Sequence, residues 1–171
     1  MQTERNSPNR PEELIKSYGL SVHPEGGFYK ETYRSGEVIP QDALPLRFGG
    51  SRLFSTAIYF LLLKGNFSAF HRIQSDECWH FYEGDALLVH VLDPKQGYRL
   101  IRLGSNAAAG EVYQAVVPAG CWFASETTGT YSLVGCTVAP GFDFADFELA
   151  TVNALAEAYP EQAKLVHRLC R

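Results

Sequence analysis

Between residues 52 and 139 the chain is a series of short β-like segments with no helical pattern between them. Turn residues separate these segments, for example at 64–65, 83–85 and 128–129. Many short strands at regular spacing, without intervening helices, predict an all-β sandwich or barrel. The segments cover roughly residues 53–63, 67–73, 77–83, 86–93, 98–103, 112–117, 121–125 and 130–139.

Short helices are predicted at both ends of the chain. Pro11 and the two glutamates after it suit a first helical turn, and Gly19 supplies a stop. Near the C-terminus the spacing of the apolar residues changes from that of a strand to that of a helix, and Pro160 begins a further short helix. We therefore expect a flexible arm over residues 1–10 and a single domain over residues 11–171. The tail residues with helical spacing are Phe147, Leu149, Val152, Leu155 and Ala156.

Composition excludes several classes of partner. The net charge of the 171 residues is −4 and no block of Lys or Arg is present, which argues against a nucleic-acid partner. The polar N-terminal segment does not resemble a signal peptide, and no apolar run is long enough to cross a bilayer. We therefore predict a cytoplasmic protein without a membrane partner. The cysteines lack CxxC spacing and are expected to act as small apolar residues: Cys78, Cys121, Cys136 and Cys170.

The most specific stretch of the sequence runs from Gly65 to Gly84. It contains His71 after five intervening residues, Glu77 six residues further on, and the closing glycine. This spacing resembles the first motif of the cupin superfamily, and residues 118–120 resemble the second. The resemblance implies a cupin double-stranded β-helix, which is a jelly-roll barrel, with short N-terminal and C-terminal helices. Blocks that resemble one small-cupin family are HPEGGFY (23–29), YRS (33–35), FHR (70–72), DECW (76–79), LVGC (133–136) and PGF (140–142).

Members of that small-cupin family have no agreed activity. They are compared structurally with sugar-nucleotide epimerases of the deoxysugar type and with seed-storage globulins. The resemblance therefore implies a small-molecule ligand inside the barrel, and a homodimer in which two barrels pair edge to edge.

Most catalytic cupins bind a metal through three histidines and one carboxylate, a ligand set that suits iron, manganese, nickel or zinc. His71 and Glu77 match two of these positions, but Ile73 and Phe123 occupy the other two. Since a tight site needs both ligand number and geometry, the resemblance implies no metal and no other cofactor. His80 could serve as a third ligand only if a bulge intervened, because strand alternation puts it on the opposite face from Glu77.

His71 and Glu77 remain as the catalytic candidates. A histidine beside a carboxylate is typical of a general base that works near neutral pH. Trp79, Phe81 and Phe123 are expected to wall the pocket as substrate-binding residues, against which a planar or sugar-like ligand would pack. The alternative is that His71 and Glu77 form a buried hydrogen-bonded pair that only satisfies the hydrogen-bonding groups of the two side chains.

The resembling epimerases use a barrel histidine, oriented by a carboxylate, to remove a proton next to a carbonyl. The resemblance carries only His71 over to this role. Its acid partner is either Glu77 or Asp143, and the phenolic acid is either Tyr59 or Tyr82. Tyr59 is also a candidate substrate-binding residue.

The block from Glu25 to Arg34 begins as a turn and continues as an alternating strand. Arg34 is a candidate substrate-binding residue that would clamp a phosphate or carboxylate at the barrel mouth, with Glu25 and Glu31 as polar contacts. The alternative, which we favour from sequence, is a Gly26-Gly27 turn followed by a solvated strand face or dimer salt bridges. The isolated histidines are assigned structural or exposed positions: His23, His90 and His167.

Three hypotheses about function follow. The first is a metal-independent isomerase or epimerase that acts on a small carbonyl-bearing or sugar-derived substrate through His71 and Glu77. The second is a non-catalytic small-molecule binding module. The third is a metal-dependent cupin enzyme with a reduced ligand set.

Overall fold

A computed structural model describes residues 9–171. Thirteen strands and three α-helices are present among these residues, together with four short 3₁₀ segments. The predicted all-β class is confirmed, because every β-like segment of the sequence became a strand within a few residues of its expected bounds. The strands are β1 (Ser21–Val22), β2 (Phe28–Arg34), β3 (Val38–Ile39), β4 (Arg52–Leu53), β5 (Thr56–Leu63), β6 (Phe67–Arg72), β7 (Asp76–Gly84), β8 (Leu87–Asp93), β9 (Gly97–Leu103), β10 (Gln114–Val117), β11 (Trp122–Thr127), β12 (Tyr131–Ala139) and β13 (Glu148–Leu149).

Two antiparallel sheets face each other. The first has the strand order β1-β2-β5-β12-β7-β10 and the second has the order β13-β6-β11-β8-β9. Neighbours in space are distant in sequence, as when β12 lies between β5 and β7, and this is the crossing connectivity of a jelly-roll barrel. Strands β3 and β4 form a separate ribbon.

The helices lie outside the barrel. Helix α1 (Arg10–Tyr18) carries Pro11 in its first turn and ends at Gly19, whose φ of 61° is left-handed. Helices α2 (Val152–Ala158) and α3 (Ala163–Leu169) pack apolar side chains against the second sheet. The predicted arm over residues 1–10 falls mostly outside the described residues, and its last residue, Arg10, is already helical.

The predicted helical pattern is wrong at the start of the C-terminal tail. Residues 148–149 form β13, which pairs with Arg72 and His71 of β6. Without the tail this edge of strand β6 would be unpaired, and pairing with β13 satisfies its backbone groups before the helix begins at Val152.

One half of the space between the sheets is filled by a solid apolar cluster, which we call the barrel plug. Its members are buried side chains from both sheets that exclude solvent from this half. They are Phe60, Leu62, Trp79, Leu87, Val89, Val91, Ile101, Leu103, Val117, Cys121, Phe123, Val134 and Cys136.

None of the helices described is both long and apolar enough to cross a lipid bilayer. The four cysteines are free thiols, and Cys121 and Cys136 are buried as expected from their apolar surroundings.

Candidate functional site

The other half of the barrel contains an open cavity of about 420 Å³. This volume lies in the range of small-molecule sites. Residues from both sheets, from the turn before β2 and from the segment after β12 form its walls. The lining residues are His23, Glu25, Tyr29, Glu31, Arg34, Thr56, Ile58, His71, Ile73, Glu77, Cys136, Val138, Phe142, Asp143, Phe144 and Phe147.

The turn at residues 23–27 carries Glu25 into the cavity. The backbone N–H of His23 donates to the carbonyl oxygen of Gly27 at 2.9 Å. The backbone N–H of Ala69 on β6 donates to the carbonyl oxygen of Glu25, also at 2.9 Å. Gly26 has a φ of 114°, and a Cβ there would lie 2.1 Å from the carbonyl oxygen of Phe67. Only glycine fits this position, so the Gly26-Gly27 pair is what lets the turn clamp onto β6 with the Glu25 side chain directed inward.

The two ring nitrogens of His71 contact different oxygen atoms, one through a hydrogen bond and the other in an ion-pair contact. Nδ1 lies 2.7 Å from the Ala69 carbonyl, which can only accept, so Nδ1 carries a proton. Nε2 lies 3.0 Å from Oε2 of Glu25, and Ser68 Oγ donates to Oε1 of Glu25 at 2.8 Å. The Glu25 carboxyl and the His71 imidazole therefore form a close, buried pair.

Glu77 is the second buried carboxyl of the cavity. It lies on β7 opposite Val138 of β12, beside the thiol of Cys136. Burial raises the pKa of Glu77 to about 7, and the nearby His71 imidazole opposes that rise. Burial also raises the pKa of Glu25 to about 7 and lowers the pKa of His71 below 6.5. Three proton carriers thus meet at one end of the cavity, and burial favours the uncharged form of each one.

His23 and Tyr29 extend this polar end. Their rings contact edge to face with centroids 4.6 Å apart, and both side chains line the cavity. Burial lowers the pKa of His23 below 6.5. The assignment of His23 to a structural or exposed position is therefore incomplete, and Tyr29 is a phenol that sequence reasoning missed. The HPEGGFY block contains both residues and was the available signal.

The mouth of the cavity carries the charged residues of β2. Arg34 donates to both oxygens of Glu31, at 2.9 and 2.7 Å. Strict alternation would put residues three apart on opposite faces of a strand. The register between β2 and β5 shifts by one residue at Thr32, and this bulge brings Glu31 and Arg34 onto the same face. Asp143 lies close enough to act electrostatically on Arg34.

An aromatic segment after β12 closes one side of the cavity. The rings of Phe142, Phe144 and Phe147 contact one another at centroid distances between 5.0 and 6.2 Å. A buried ion pair anchors this segment: Arg52 donates to both oxygens of Asp146, at 2.6 and 2.5 Å. The aromatic wall is therefore fixed to the barrel although Phe144 itself is exposed.

Four of the predicted substrate-binding residues do not line the cavity. Trp79 and Phe123 are buried in the barrel plug, and Phe81 packs against it. Trp79 and Phe81 point inward as predicted, but they lie one and two alternate positions beyond Glu77 along β7. Phe123 pairs with His71 in the second sheet, and its ring packs against the His71 ring without lining the cavity. Tyr59 lies on the outer face of its sheet against Tyr18 and Tyr82, so neither predicted phenolic acid faces the cavity.

Of the predicted site residues, His71, Glu77 and Arg34 all line the cavity. The carboxylate in contact with Nε2 of His71 is that of Glu25, whereas the sequence offers Glu77 and Asp143 as its partner. His80 faces away from the cavity, where its Nε2 lies 3.1 Å from Oγ1 of Thr137, as strand alternation predicted.

The residues present do not fit the metal site of catalytic cupins. Ile73 lines the cavity where an imidazole would be needed, and the Phe123 ring lies 4.1 Å from the ring of His71. His71 has both nitrogens engaged, one of them by a backbone carbonyl. Within residues 9–171, no group of three or more His, Cys, Asp or Glu side chains is placed to hold a metal ion.

The chain is similar in sequence to one protein family and in structure to several solved proteins. The family model described as "Cupin superfamily (DUF985)" matches residues 12–150. An uncharacterized protein of Saccharomyces cerevisiae is 33% identical over 155 residues, covering 81% of this chain and 74% of the yeast protein. A solved structure of a Shewanella oneidensis protein is 40% identical, with a TM-score of 0.84, and covers 94% of this chain and 96% of that one. Oxalate decarboxylase from Bacillus subtilis shares the fold alone, at 12% identity and a TM-score of 0.53 over 86% of this chain and 36% of its own.

Proposed function

This chain belongs to the cupin superfamily (DUF985), and we propose that its cavity catalyses metal-independent proton transfer next to a carbonyl group of a small substrate. The reaction is an isomerisation or epimerisation. The observation that carries this proposal is the meeting of the His71–Glu25 pair and Glu77 at one end of a cavity whose other walls are mostly apolar and aromatic.

The chemistry needs one group that accepts a proton from carbon and another that supports the carbonyl oxygen. Ionised Glu77 takes the proton from the carbon next to the carbonyl, and the electron pair of that C–H bond moves toward the carbonyl oxygen. The His71–Glu25 pair donates a hydrogen bond or its proton to that oxygen. In an epimerisation a proton returns to the same carbon from the opposite face, and the oxygen gives its proton back to the pair. In an isomerisation the proton goes to the former carbonyl carbon, and the neighbouring hydroxyl loses its proton as it becomes the new carbonyl.

The surroundings suit these roles. A proton carrier works best when its pKa lies near the operating pH, and burial moves the pKa values of Glu25 and Glu77 to about 7. Tyr29 adds a phenol to the polar groups at this end of the cavity. Phe147, whose ring centroid lies 5.3 Å from that of His71, helps keep water away from the pair.

The proposal is tested by deuterium incorporation. The protein is incubated in D₂O with a panel of aldoses, ketoses and lactones, and exchange at the carbon next to the carbonyl is followed by NMR. We expect exchange with at least one compound, and losses of about 100-fold or more in His71→Asn and Glu77→Gln.

The chain offers a matched control for this test. His90 lies 3.1 Å from Glu126 in a partly buried histidine–carboxylate pair outside the cavity. His90→Asn should retain the wild-type exchange rate. Equal exchange in wild type and in both cavity variants, or no exchange with any compound, would contradict the proposal.

A non-catalytic binding module is the second candidate function. It is favoured by the engagement of both His71 nitrogens, since a fully satisfied pair can be purely structural. Its signature is a ligand-dependent rise in melting temperature without deuterium exchange.

We further propose that the protein is a cytoplasmic homodimer. Strand β10 is an edge strand, and Val112, Tyr113 and Val116 at this edge are exposed apolar side chains. Light scattering should give twice the 19.0 kDa of one chain, and a monomer mass would contradict the pairing.

A further inference from the structure

We infer that the mouth of the cavity excludes anions, so that the ligand of this site is an uncharged, hydroxyl-bearing carbonyl compound and Glu31 is the residue that sets this specificity. The inference names the substrate class for the proposed function and rests on it. It is tested by binding alone, however, so the two can fail separately.

Within residues 9–171, the permanent cation that lines the cavity is already occupied. Among the described residues that line the cavity, Arg34 is the one with a Lys or Arg side chain. Its guanidinium donates two hydrogen bonds to Glu31, which fills the planar fork that would otherwise bind a phosphate or carboxylate. The bulge at Thr32 makes this pairing possible, because it puts both side chains on the cavity face.

The remaining charges at the mouth are negative. Asp143 lines the same region and acts electrostatically on Arg34 and Arg52, but each of these arginines already donates two hydrogen bonds to another carboxylate. Arg34, Glu31 and Asp143 together contribute a net charge of about −1 at neutral pH. An entering anion would have to displace Glu31 from Arg34 and would then face two carboxylates, and like charges at short range repel. Both the loss of the Arg34–Glu31 pair and repulsion by the carboxylates therefore oppose the binding of an anionic ligand.

The interior favours hydroxyl groups and C–H faces. Glu77 and Glu25 are carboxyl groups that can accept hydrogen bonds from hydroxyls. Ile58, Phe142 and Phe147 offer apolar surface against which the C–H faces of a compact polyol can pack. A monosaccharide-sized ligand without a charged group satisfies both parts of the cavity.

The test compares matched ligands by isothermal titration calorimetry with the Glu77→Gln protein, in which proton transfer is blocked. The ligands are glucose, xylose and fructose, the 6-phosphate and uronic acid of glucose, and glucosamine. We expect at least one neutral sugar to bind, and to bind at least about tenfold more tightly than its phosphate or carboxylate derivative.

The Glu31→Gln substitution tests the assigned residue directly. It keeps the side-chain shape, removes the charge and frees Arg34, so the ratio of the anion's dissociation constant to that of the neutral sugar should fall by about tenfold or more. Glu148→Gln is the matched control, because Arg72 and Glu148 form a similar exposed pair outside the cavity, at 2.7 Å. Its ratio should stay at the wild-type value.

Each other outcome overturns the inference. These outcomes are tighter binding of the phosphate or uronic acid, more than tenfold tighter binding of glucosamine, no binding by any neutral sugar, or equal ratios in Glu31→Gln and Glu148→Gln. A preserved preference for neutral sugars without deuterium exchange would instead overturn only the proposed proton transfer.

Discussion

Phe60 and Ile58 lie two residues apart on β5 and point into the same barrel, yet one belongs to the barrel plug and the other to the cavity wall. The same step occurs on β7, from Trp79 in the plug to Glu77 in the cavity. Alternation along each strand decides only that a side chain points inward. Its depth in the barrel decides whether it stabilises the fold or faces a ligand.

The two halves of the barrel interior are stabilised in different ways. Burial of large apolar side chains in the plug is favourable by about 25 cal/mol for each Å² removed from water. The cavity half instead contains two buried carboxyl groups and two buried histidines, Glu25, Glu77, His23 and His71, whose desolvation opposes folding. The favourable free energy of burying the plug therefore offsets the cost of desolvating the polar groups in the cavity half.

Replacing Trp79 in the plug should have the largest effect on stability. Trp79 is only 2% exposed, and Trp79→Ala should lower the free energy of unfolding by about 3–5 kcal/mol in urea titrations. Among the described residues, none accepts a hydrogen bond from its indole Nε1. Trp79→Phe should therefore cost clearly less, because it removes volume but no hydrogen bond. Equal losses in the two variants would contradict the division into plug and cavity.

The cavity half depends on an ion pair where the plug depends on packing. Arg52→Ala leaves Asp146 buried without its partner and should cost about 3 kcal/mol in the free energy of unfolding. It should also loosen the segment 142–147 and weaken ligand binding, whereas Trp79→Phe should leave ligand affinity unchanged. Amide hydrogen exchange would locate the loosening. Protection factors in this segment that match those of the wild type would contradict the anchoring role.

The fold was predictable from sequence because its signals are local. Alternation and turn residues marked the strands between residues 52 and 139, and Gly19 marked the end of helix α1. The tail at 148–149 was not predictable in this way, because its strand forms only where the unpaired edge of β6 offers hydrogen bonds. The spacing of Phe147 and Leu149 fits a helix until that edge is known.

The site was predictable only in part. His71 and Glu77 came from motif spacing, and strand alternation correctly put His80 on the outer face. The partner of His71 could not be found this way, because Glu25 is 46 positions earlier and reaches it through a turn that clamps onto β6. No sequence pattern shows how deep in the barrel a side chain lies, so Trp79 could not be assigned to the plug rather than to the cavity wall.

Glu77→Gln should stabilise the protein at high pH. The Glu77 carboxyl has an ordinary pKa of 4.5 in the unfolded chain and a pKa of about 7 in the folded protein. Between these values the folded state binds more protons, so the free energy of unfolding of the wild type falls as pH rises. At pH 8 the variant should be more stable than the wild type by about 2–3 kcal/mol, and near pH 4.5 the two should agree.

Glu126 is the control for this pH dependence, because its pKa is shifted in the opposite direction. Arg168 donates a hydrogen bond to the Glu126 carboxylate and lowers its pKa, so ionised Glu126 stabilises the fold. Glu126→Gln should therefore be less stable than the wild type at pH 8. Urea titrations across pH 4–8 measure both variants, and a Glu77→Gln protein that loses stability at pH 8 would show that its carboxylate is not strained by burial.

Phe144→Ala should have the smallest effect on stability and a selective effect on the ligand. Phe144 is 59% exposed, so its removal should cost under about 1 kcal/mol in the free energy of unfolding. Because its ring lines the cavity, sugar binding measured by calorimetry should nevertheless weaken by about threefold to tenfold. Leu46→Ala is the control, since Leu46 is fully exposed and lies outside the cavity. If both variants bind sugar as the wild type does, the aromatic segment is only a cover for the barrel and the ligand lies entirely against the polar end.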